Sequence, residues 1–266
     1  MTSGAPLWET SSGRPQDRAA ADRDEEAMDL NFLGPPLESG PLPAVFYFSL
    51  SAHDSLHLDP YNQPALALMQ HPMRVFSFTI PGHQLPPTEA LNFWAAELEK
   101  GNDLITTFAE EVSATIEELI RREVASFDKI AVMGLSRGVF IGAHVAARCK
   151  LISHLLGFAP LTRLDKVKEF EQCTSSLVEQ LNLQNLSERL YDRTIRCYIG
   201  NRDLRVGTGA CFHFISALAD AAHHQKIRSA PIELVITPSI GHLGHGTSPE
   251  TFREGARWLA NQLGLS

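Results

Sequence analysis

Short apolar runs alternate with helical patterns from about residue 40 to the end of the chain. An alternation of this kind is typical of a parallel sheet whose strands are joined by crossover helices. The clearest helical pattern covers 103–122, where apolar residues recur every three or four positions. The runs typical of buried strands are 44–48, 74–80, 129–133, 155–159, 195–199 and 232–236. The sequence therefore predicts an α/β fold, with a mostly parallel sheet of about six strands flanked by helices.

The beginning of the chain differs in composition from the rest. The first part has few large apolar side chains to offset the entropy of ordering it, and a proline-rich stretch follows. We therefore expect a flexible leader over 1–38 and one compact domain over 39–266. Within that domain, 161–190 has helical spacing without a strand pattern, and we expect it to form a small helical lid.

Composition argues against several classes of function. The chain has 31 acidic against 23 basic residues and a formal charge of -8, so its surface should repel nucleic acid. The beginning of the chain has no apolar run suited to a signal peptide or a membrane span. The four cysteines are widely spaced, and neither they nor the histidines show the spacing of a metal site. We expect a cytoplasmic protein with reduced thiols and no metal, cofactor or membrane span.

The segment Gly134-Leu135-Ser136-Arg137-Gly138 lies directly after one apolar run and directly before a helical pattern. It matches the G-x-S-x-G elbow, in which a strand turns sharply into a helix and presents the serine hydroxyl above the sheet. A glycine and serine turn without a chemical role is the alternative, but that turn does not require this position between strand and helix. We predict Ser136 as a nucleophile. The backbone N–H of Arg137, at the start of the helix, is the predicted first oxyanion donor.

A serine hydroxyl needs a histidine base and a group that orients the histidine. His242 is the predicted base because it follows the last apolar run, at the strand end where an open α/β sheet places its ligand site. His245 is the alternative base, and a purely structural histidine is another possibility. Asp203 follows the preceding run and is the predicted acid, although taken alone it is more typical of a solvated turn or an Asx cap. The order Ser136, Asp203, His242 favours catalysis.

These segments resemble the α/β-hydrolase superfamily over roughly 42–264. The local sequence is similar to compact esterases and to the catalytic domains of prolyl-oligopeptidase-like proteins. The resemblance implies the α/β-hydrolase fold, with Ser136 as nucleophile, His242 as base and Asp203 as acid. The segments that carry it are Gly134-Leu135-Ser136-Arg137-Gly138, Gly200-Asn201-Arg202-Asp203, Gly241-His242 and Ile80-Pro81-Gly82-His83, the last being similar to the proline-glycine turn after the family's fourth strand.

Two features depart from the family pattern. Its second oxyanion donor usually comes from a His-Gly loop after the third strand, where this chain has Ser49-Leu50-Ser51. A backbone N–H of Leu50 or Ser51 is the predicted second donor. The family's first two strands are missing or replaced by the proline-rich stretch. The Arg137 side chain has two interpretations, contact with an anionic substrate group or a salt bridge on the helix surface.

The predicted function is that of a serine hydrolase acting on a small-molecule acyl substrate. It would cleave a carboxylic ester, thioester or amide through an acyl-serine intermediate. An acyltransferase is an alternative, because the same triad can pass the acyl group to an alcohol or amine. A hydrolase-fold binding module without activity is a second alternative, whose usual sign is the loss of a triad member. All three predicted members are present here.

Overall fold

The computed structural model describes residues 29–265. One seven-stranded sheet crosses the molecule in the order β1-β3-β2-β4-β5-β6-β7, with β1 antiparallel to β3 and every other pair parallel. The strands are β1 Leu30–Leu33, β2 Leu42–Phe48, β3 Arg74–Phe78, β4 Ala125–Leu135, β5 His154–Phe158, β6 Thr194–Gly200 and β7 Ile232–Thr237. The helices are α1 Ala52–His57, α2 Gln63–Leu68, α3 Ala90–Glu99, α4 Leu104–Arg121, α5 Arg137–Arg148, α6 Leu177–Gln180, α7 Ser187–Leu190, α8 Thr208–His224 and α9 Pro249–Gln262.

The predicted mostly parallel sheet flanked by helices is confirmed, and it has one strand more than the sequence indicates. The six apolar runs correspond to β2 through β7. The additional strand, β1, lies in the stretch predicted as leader and pairs with β3 in the register Leu30 with Phe78. The Phe32 ring packs on Phe76 with centroids 5.7 Å apart. Residues 30–33 thus form a strand within the range predicted as leader, and the part of that range before 29 lies outside the described residues.

The long helices begin where their caps predict. Asp103 caps α4 by accepting a hydrogen bond from the backbone N–H of Thr106. Ser248 caps α9 in the same way through Thr251, and Pro249 occupies the first helical position, where a missing N–H leaves no hydrogen bond unmade. Because these signals are local, the sequence is sufficient to predict both helix starts.

The core has two layers, one on each face of the sheet. Helices α3, α4, α5 and α8 cover one face, and α1, α2 and α9 contribute to the other. Alternate residues of β2 point to opposite layers, so Phe46 and Phe48 lie in the first while Val45 and Tyr47 lie in the second. Phe46 stacks on Phe76 of β3 with ring centroids 5.3 Å apart. Two-sided burial explains why these strands are continuously apolar.

Residues 161–190 are helical and contain no strand, as their spacing predicts. Besides α6 and α7 they form short 3-10 turns, and their apolar side chains belong to the larger core layer. The segment packs against α3, α5 and α8. Its role as a lid stays a prediction. Within residues 29–265, none of the helices combines the length and the apolar character needed to cross a bilayer.

A buried arginine ties the proline-rich stretch to the sheet. Arg74, at the start of β3, is fully buried and donates to the carbonyl oxygens of Pro35 at 2.9 Å, Gly40 at 3.0 Å and Val124 at 2.5 Å, and also to that of Pro36. A guanidinium has five N–H donors in a fixed plane, which suits several carbonyl groups at once. The segment between β1 and β2 is therefore held against the start of β4.

Replacing Arg74 by Met should destabilise the fold, because carbonyl groups in a buried setting would lose their donors. We expect the free energy of unfolding to fall by about 2 to 4 kcal/mol, measured by urea denaturation followed by tryptophan fluorescence and circular dichroism. The control is Arg253→Met, which breaks an exposed ion pair with Glu250 and should change stability by about 0.5 kcal/mol or less. Equal effects of the two substitutions would contradict the assigned role.

Candidate active site

The predicted elbow between β4 and α5 is present. Ser136 lies between strand and helix with φ 55° and ψ -117°, a conformation that non-glycine residues rarely adopt. Its backbone N–H donates to Phe158 O at 2.8 Å, and its carbonyl accepts from Val139 and Leu161, each at 3.1 Å. These bonds hold the serine at the carboxyl ends of the central strands.

The two glycines of the elbow are required by close backbone contacts. A Cβ added at Gly134 would lie 2.5 Å from the backbone N of Val139. A Cβ added at Gly138 would lie 1.8 Å from the carbonyl oxygen of Phe48, at the end of β2. Both positions exclude any side chain because the obstructing atoms belong to the backbone. The spacing of glycines around Ser136 is thus a packing requirement of the turn.

Three side chains from separate loops form a continuous relay at this elbow. Ser136 Oγ lies 2.8 Å from His245 Nε2, and His245 Nδ1 lies 2.7 Å from Asp203 Oδ2. An ionised carboxylate can only accept hydrogen bonds, so the proton of a neutral His245 belongs on Nδ1. The Nε2 lone pair then faces the serine hydroxyl, which donates to it. This is the arrangement needed to remove a proton from Ser136.

Asp203 is buried and its two carboxylate oxygens have different tasks. Oδ1 accepts from the backbone N–H groups of Arg205 at 2.9 Å and Val206 at 3.0 Å, which leaves Oδ2 for His245. Asp203 N in turn donates to Thr208 Oγ1 at 3.0 Å. The Asx-type bonds considered for this residue exist, but they fix the carboxylate beneath the imidazole. The structure therefore places Asp203 where the sequence predicts it.

The prediction of His242 as the base requires correction, because His245 occupies that place. His242 is exposed, and its side chain contacts neither Ser136 nor Asp203 within hydrogen-bond distance. The chain reverses after β7 through a short 3-10 turn, His242–Gly244, closed by a bridge between Ile240 and Gly246. This reversal turns position 242 outward and brings 245 back to the serine.

One signal in the sequence could have favoured His245, namely the glycine on each side of it. A Cβ at Gly244 would lie 2.3 Å from the carbonyl oxygen of Arg202, and one at Gly246 would lie 2.9 Å from that of Ile240. Glycines of this kind mark close backbone approach. The loop that carries His245 is therefore pressed against the loop that carries Asp203, and Leu204 N also donates to Leu243 O at 2.8 Å.

The predicted oxyanion donors have different surroundings. Arg137 is the first residue of α5, where a backbone N–H has no partner within the helix. The N–H of Leu50 donates to Ser55 Oγ at 2.9 Å in a buried contact, so the prediction of Leu50 as a free donor is wrong. Ser51 N has no hydrogen-bond partner among residues 29–265. Of the two alternatives for the second donor, Ser51 alone keeps a free N–H.

The loop after β3 lies beside the elbow. His83, which follows the Pro81-Gly82 turn, is nine-tenths buried, and its Nε2 has no partner among the described residues. Burial lowers the pKa of His83 to about 4, with the charge of Arg137 as the second cause, so the imidazole is neutral at pH 7.

The Arg137 side chain reaches the same loop by donating from Nη1 to Pro87 O at 2.9 Å. No carboxylate within 29–265 forms an ion pair with Arg137, so the surface salt bridge considered for it is absent there.

A buried ion pair joins the 161–190 segment to the Asp203 loop. Arg205 donates to Glu169 through two bonds of 2.9 and 2.8 Å, and the Glu169 side chain is only 7% exposed. The paired geometry is that of a planar fork meeting a carboxylate. Since the backbone N–H of Arg205 also donates to Asp203, the ion pair fixes the turn that holds the Asp203 carboxylate. Among residues 29–265, no three His, Cys, Asp or Glu side chains converge as a metal site would require.

No family model and no curated protein matches the chain. Solved structures do match in fold. TT1662 from Thermus thermophilus superposes with a TM-score of 0.67 at 17% identity, over 89% of this chain and 94% of that one. The 2,6-dihydroxy-pseudo-oxynicotine hydrolase gives 0.64 at 17% identity, over 94% and 68%.

Prolyl oligopeptidase B from Galerina marginata gives a TM-score of 0.63 at 16% identity. The match covers 92% of this chain but 38% of that protein, so the chain spans well under half the length of the peptidase. At these identities the likeness concerns the backbone. Together with the sheet order and the elbow, it confirms the predicted resemblance: the chain has the α/β-hydrolase fold.

Proposed function

We propose that this protein is a serine hydrolase that cleaves a carboxylic ester, thioester or amide bond through an acyl-Ser136 intermediate. The observation that carries the proposal is the relay from Ser136 Oγ to His245 at 2.8 Å and from His245 to Asp203 at 2.7 Å. Heavy-atom distances of this size permit direct proton transfer between neighbouring groups.

In the first half of the reaction, His245 Nε2 accepts the hydroxyl proton as Ser136 Oγ attacks the substrate carbonyl. Asp203 stabilises the imidazolium that forms and keeps the ring oriented. The imidazolium then donates its proton to the leaving group, and the acyl-serine remains. In the second half, His245 takes a proton from water, the hydroxide attacks the acyl carbonyl, and the proton returns to Ser136.

The negative charge that develops on the carbonyl oxygen needs donors fixed in advance. The backbone N–H of Arg137 is one, supported by the positive end of the α5 dipole. We assign the second donor to the backbone N–H of Ser51, in the loop directly after β2. Each such donor accelerates the chemical step by about 10²- to 10³-fold in enzymes of this kind.

The alternatives lack an observation that favours them over hydrolysis. An acyltransferase would use the same relay, and nothing in the site selects an acceptor other than water. A binding module without activity would have no use for a serine held at positive φ and hydrogen-bonded to an oriented histidine. Local strain of this kind is typical of functional sites.

Replacing Ser136 by Ala should remove the nucleophile while leaving the fold intact. We expect loss of covalent labelling by a fluorophosphonate probe and a fall in p-nitrophenyl ester turnover of about 10⁴-fold or more. Labelling followed by mass spectrometry and initial-rate kinetics measure the two effects. Ser229→Ala, at an exposed position far along the chain, is the matched control and should behave as the unmodified protein. Near-normal turnover by the Ser136 variant would refute the proposal.

A pair of histidine variants tests which histidine is the base. His245→Gln should lower kcat/KM by about 10³-fold or more, because the serine proton loses its acceptor, whereas His242→Gln should change it by no more than about two-fold. If His242→Gln were the inactive variant instead, the relay seen here would not be the working one.

A further inference from the structure

We propose that the substrate carries a carboxylate and that the Arg137 guanidinium binds it. This inference rests on the proposed function and narrows its substrate class. Arg137 directly follows Ser136 along the chain, and its guanidinium donates to Pro87 O in the loop that also carries His83. The backbone N–H of Arg137 is the proposed oxyanion donor, a role that does not involve its side chain.

The first observation is that, among residues 29–265, no carboxylate forms an ion pair with the Arg137 side chain; Glu169 is near enough to raise its pKa, but its carboxylate is bound by Arg205. The Arg137 guanidinium uses one of five donors, on the carbonyl oxygen of Pro87. Other half-buried arginines of the chain differ: Arg205 has two bonds to Glu169, and Arg163 has two to Asp165. A half-buried cation without a counter-charge is unfavourable. A substrate anion would supply the missing partner.

The second observation is an unsatisfied polar atom nearby. His83 is nine-tenths buried, yet its Nε2 has no partner among residues 29–265. Its imidazole is close enough to Arg137 for the arginine charge to lower the histidine pKa, after the larger effect of burial. A buried nitrogen without a partner loses the hydrogen bond it had in water. One carboxylate has two oxygens, which can accept from Arg137 and from a His83 tautomer protonated at Nε2.

The charge balance favours a single negative charge. Burial, and then the nearby Arg205, lower the pKa of Arg137, which shows that a second cation lies in its surroundings. The charge of that second cation is already matched by Glu169. Because Glu169 also raises the pKa of Arg137, one carboxylate faces two guanidinium groups, and one positive charge is in excess beside Arg137. A carboxylate supplies one negative charge, whereas a phosphate monoester has close to two at pH 7 and would meet a chain of formal charge -8.

The test compares matched anionic and neutral esters. One pair places the charge on the acyl side: mono-4-nitrophenyl adipate and its methyl ester. The other places it on the leaving group: 4-(butanoyloxy)benzoate and its methyl ester. The quantity measured is the selectivity, defined as kcat/KM for the anionic member divided by kcat/KM for the neutral member. Comparing selectivity between variants cancels the intrinsic difference in reactivity within each pair.

We expect Arg137→Gln to lower the selectivity by about ten-fold or more in at least one pair, which also tells on which side of the scissile bond the carboxylate lies. Arg137→Lys should lose less, since it keeps the charge but not the planar fork. Arg253→Gln is the control, because it removes the same charge from an exposed site on α9 and should leave the selectivity unchanged.

Two results would overturn the inference. If Ser136 is labelled by a neutral fluorophosphonate and selectivity in both pairs is the same with Arg or Gln at position 137, the carboxylate site is refuted while the hydrolase proposal stands. If Ser136 is not labelled at all, both proposals fail together. If the protein is labelled but turns over neither ester pair, the test is protection of Ser136 from labelling. The inference then requires that monomethyl adipate slow labelling more than dimethyl adipate does, and that Arg137→Gln remove this difference.

Discussion

The contact between Gly138 and the carbonyl oxygen of Phe48 is the constraint on which the rest of the site depends. It lets α5 begin directly against the end of β2, at a distance that no side chain permits. The turn before it must then be sharp, and Ser136 takes a positive φ as a result. The hydroxyl emerges above the sheet, and the first turn of α5 points its free N–H groups at the same place. One backbone contact thus brings the Ser136 hydroxyl and the first N–H groups of α5 together.

The other half of the relay is a pair of loops that pack on each other rather than two independent turns. Gly200 and Gly244 each lack room for a Cβ, because Ser239 and the Gly244 carbonyl oxygen crowd the first and the Arg202 carbonyl oxygen crowds the second. A backbone hydrogen bond from Leu204 N to Leu243 O joins the two loops. The distance between carboxylate and imidazole is therefore set by backbone packing, which is more rigid than side-chain contact alone.

Local signals in the sequence predict most of the fold and two members of the relay. Caps, periodic apolar faces and the elbow motif each act within a few residues, so Ser136 and the long helices follow from them. Features that depend on contacts between distant parts of the chain cannot be predicted from such local signals. His245 rather than His242 meets Ser136 because the loop turns at Leu243, a non-glycine residue with a positive φ, and only the glycines beside His245 hint at this turn. Leu50 loses its free N–H to a side-chain contact with Ser55. Strand β1 exists only through pairing with β3.

The proposed carboxylate site has an electrostatic consequence for the reaction itself. A substrate anion near the scissile bond repels the second negative charge that develops on the carbonyl oxygen in the transition state. Arg137 opposes that repulsion from two positions, since its guanidinium neutralises the substrate carboxylate and its backbone N–H donates a hydrogen bond to the oxyanion. The charge of Asp203 is opposed in the transition state by the imidazolium that forms on His245, to which its carboxylate is hydrogen-bonded. An arginine directly after the nucleophile therefore suits an anionic acyl or leaving group, whereas a neutral residue there would leave the two negative charges unscreened.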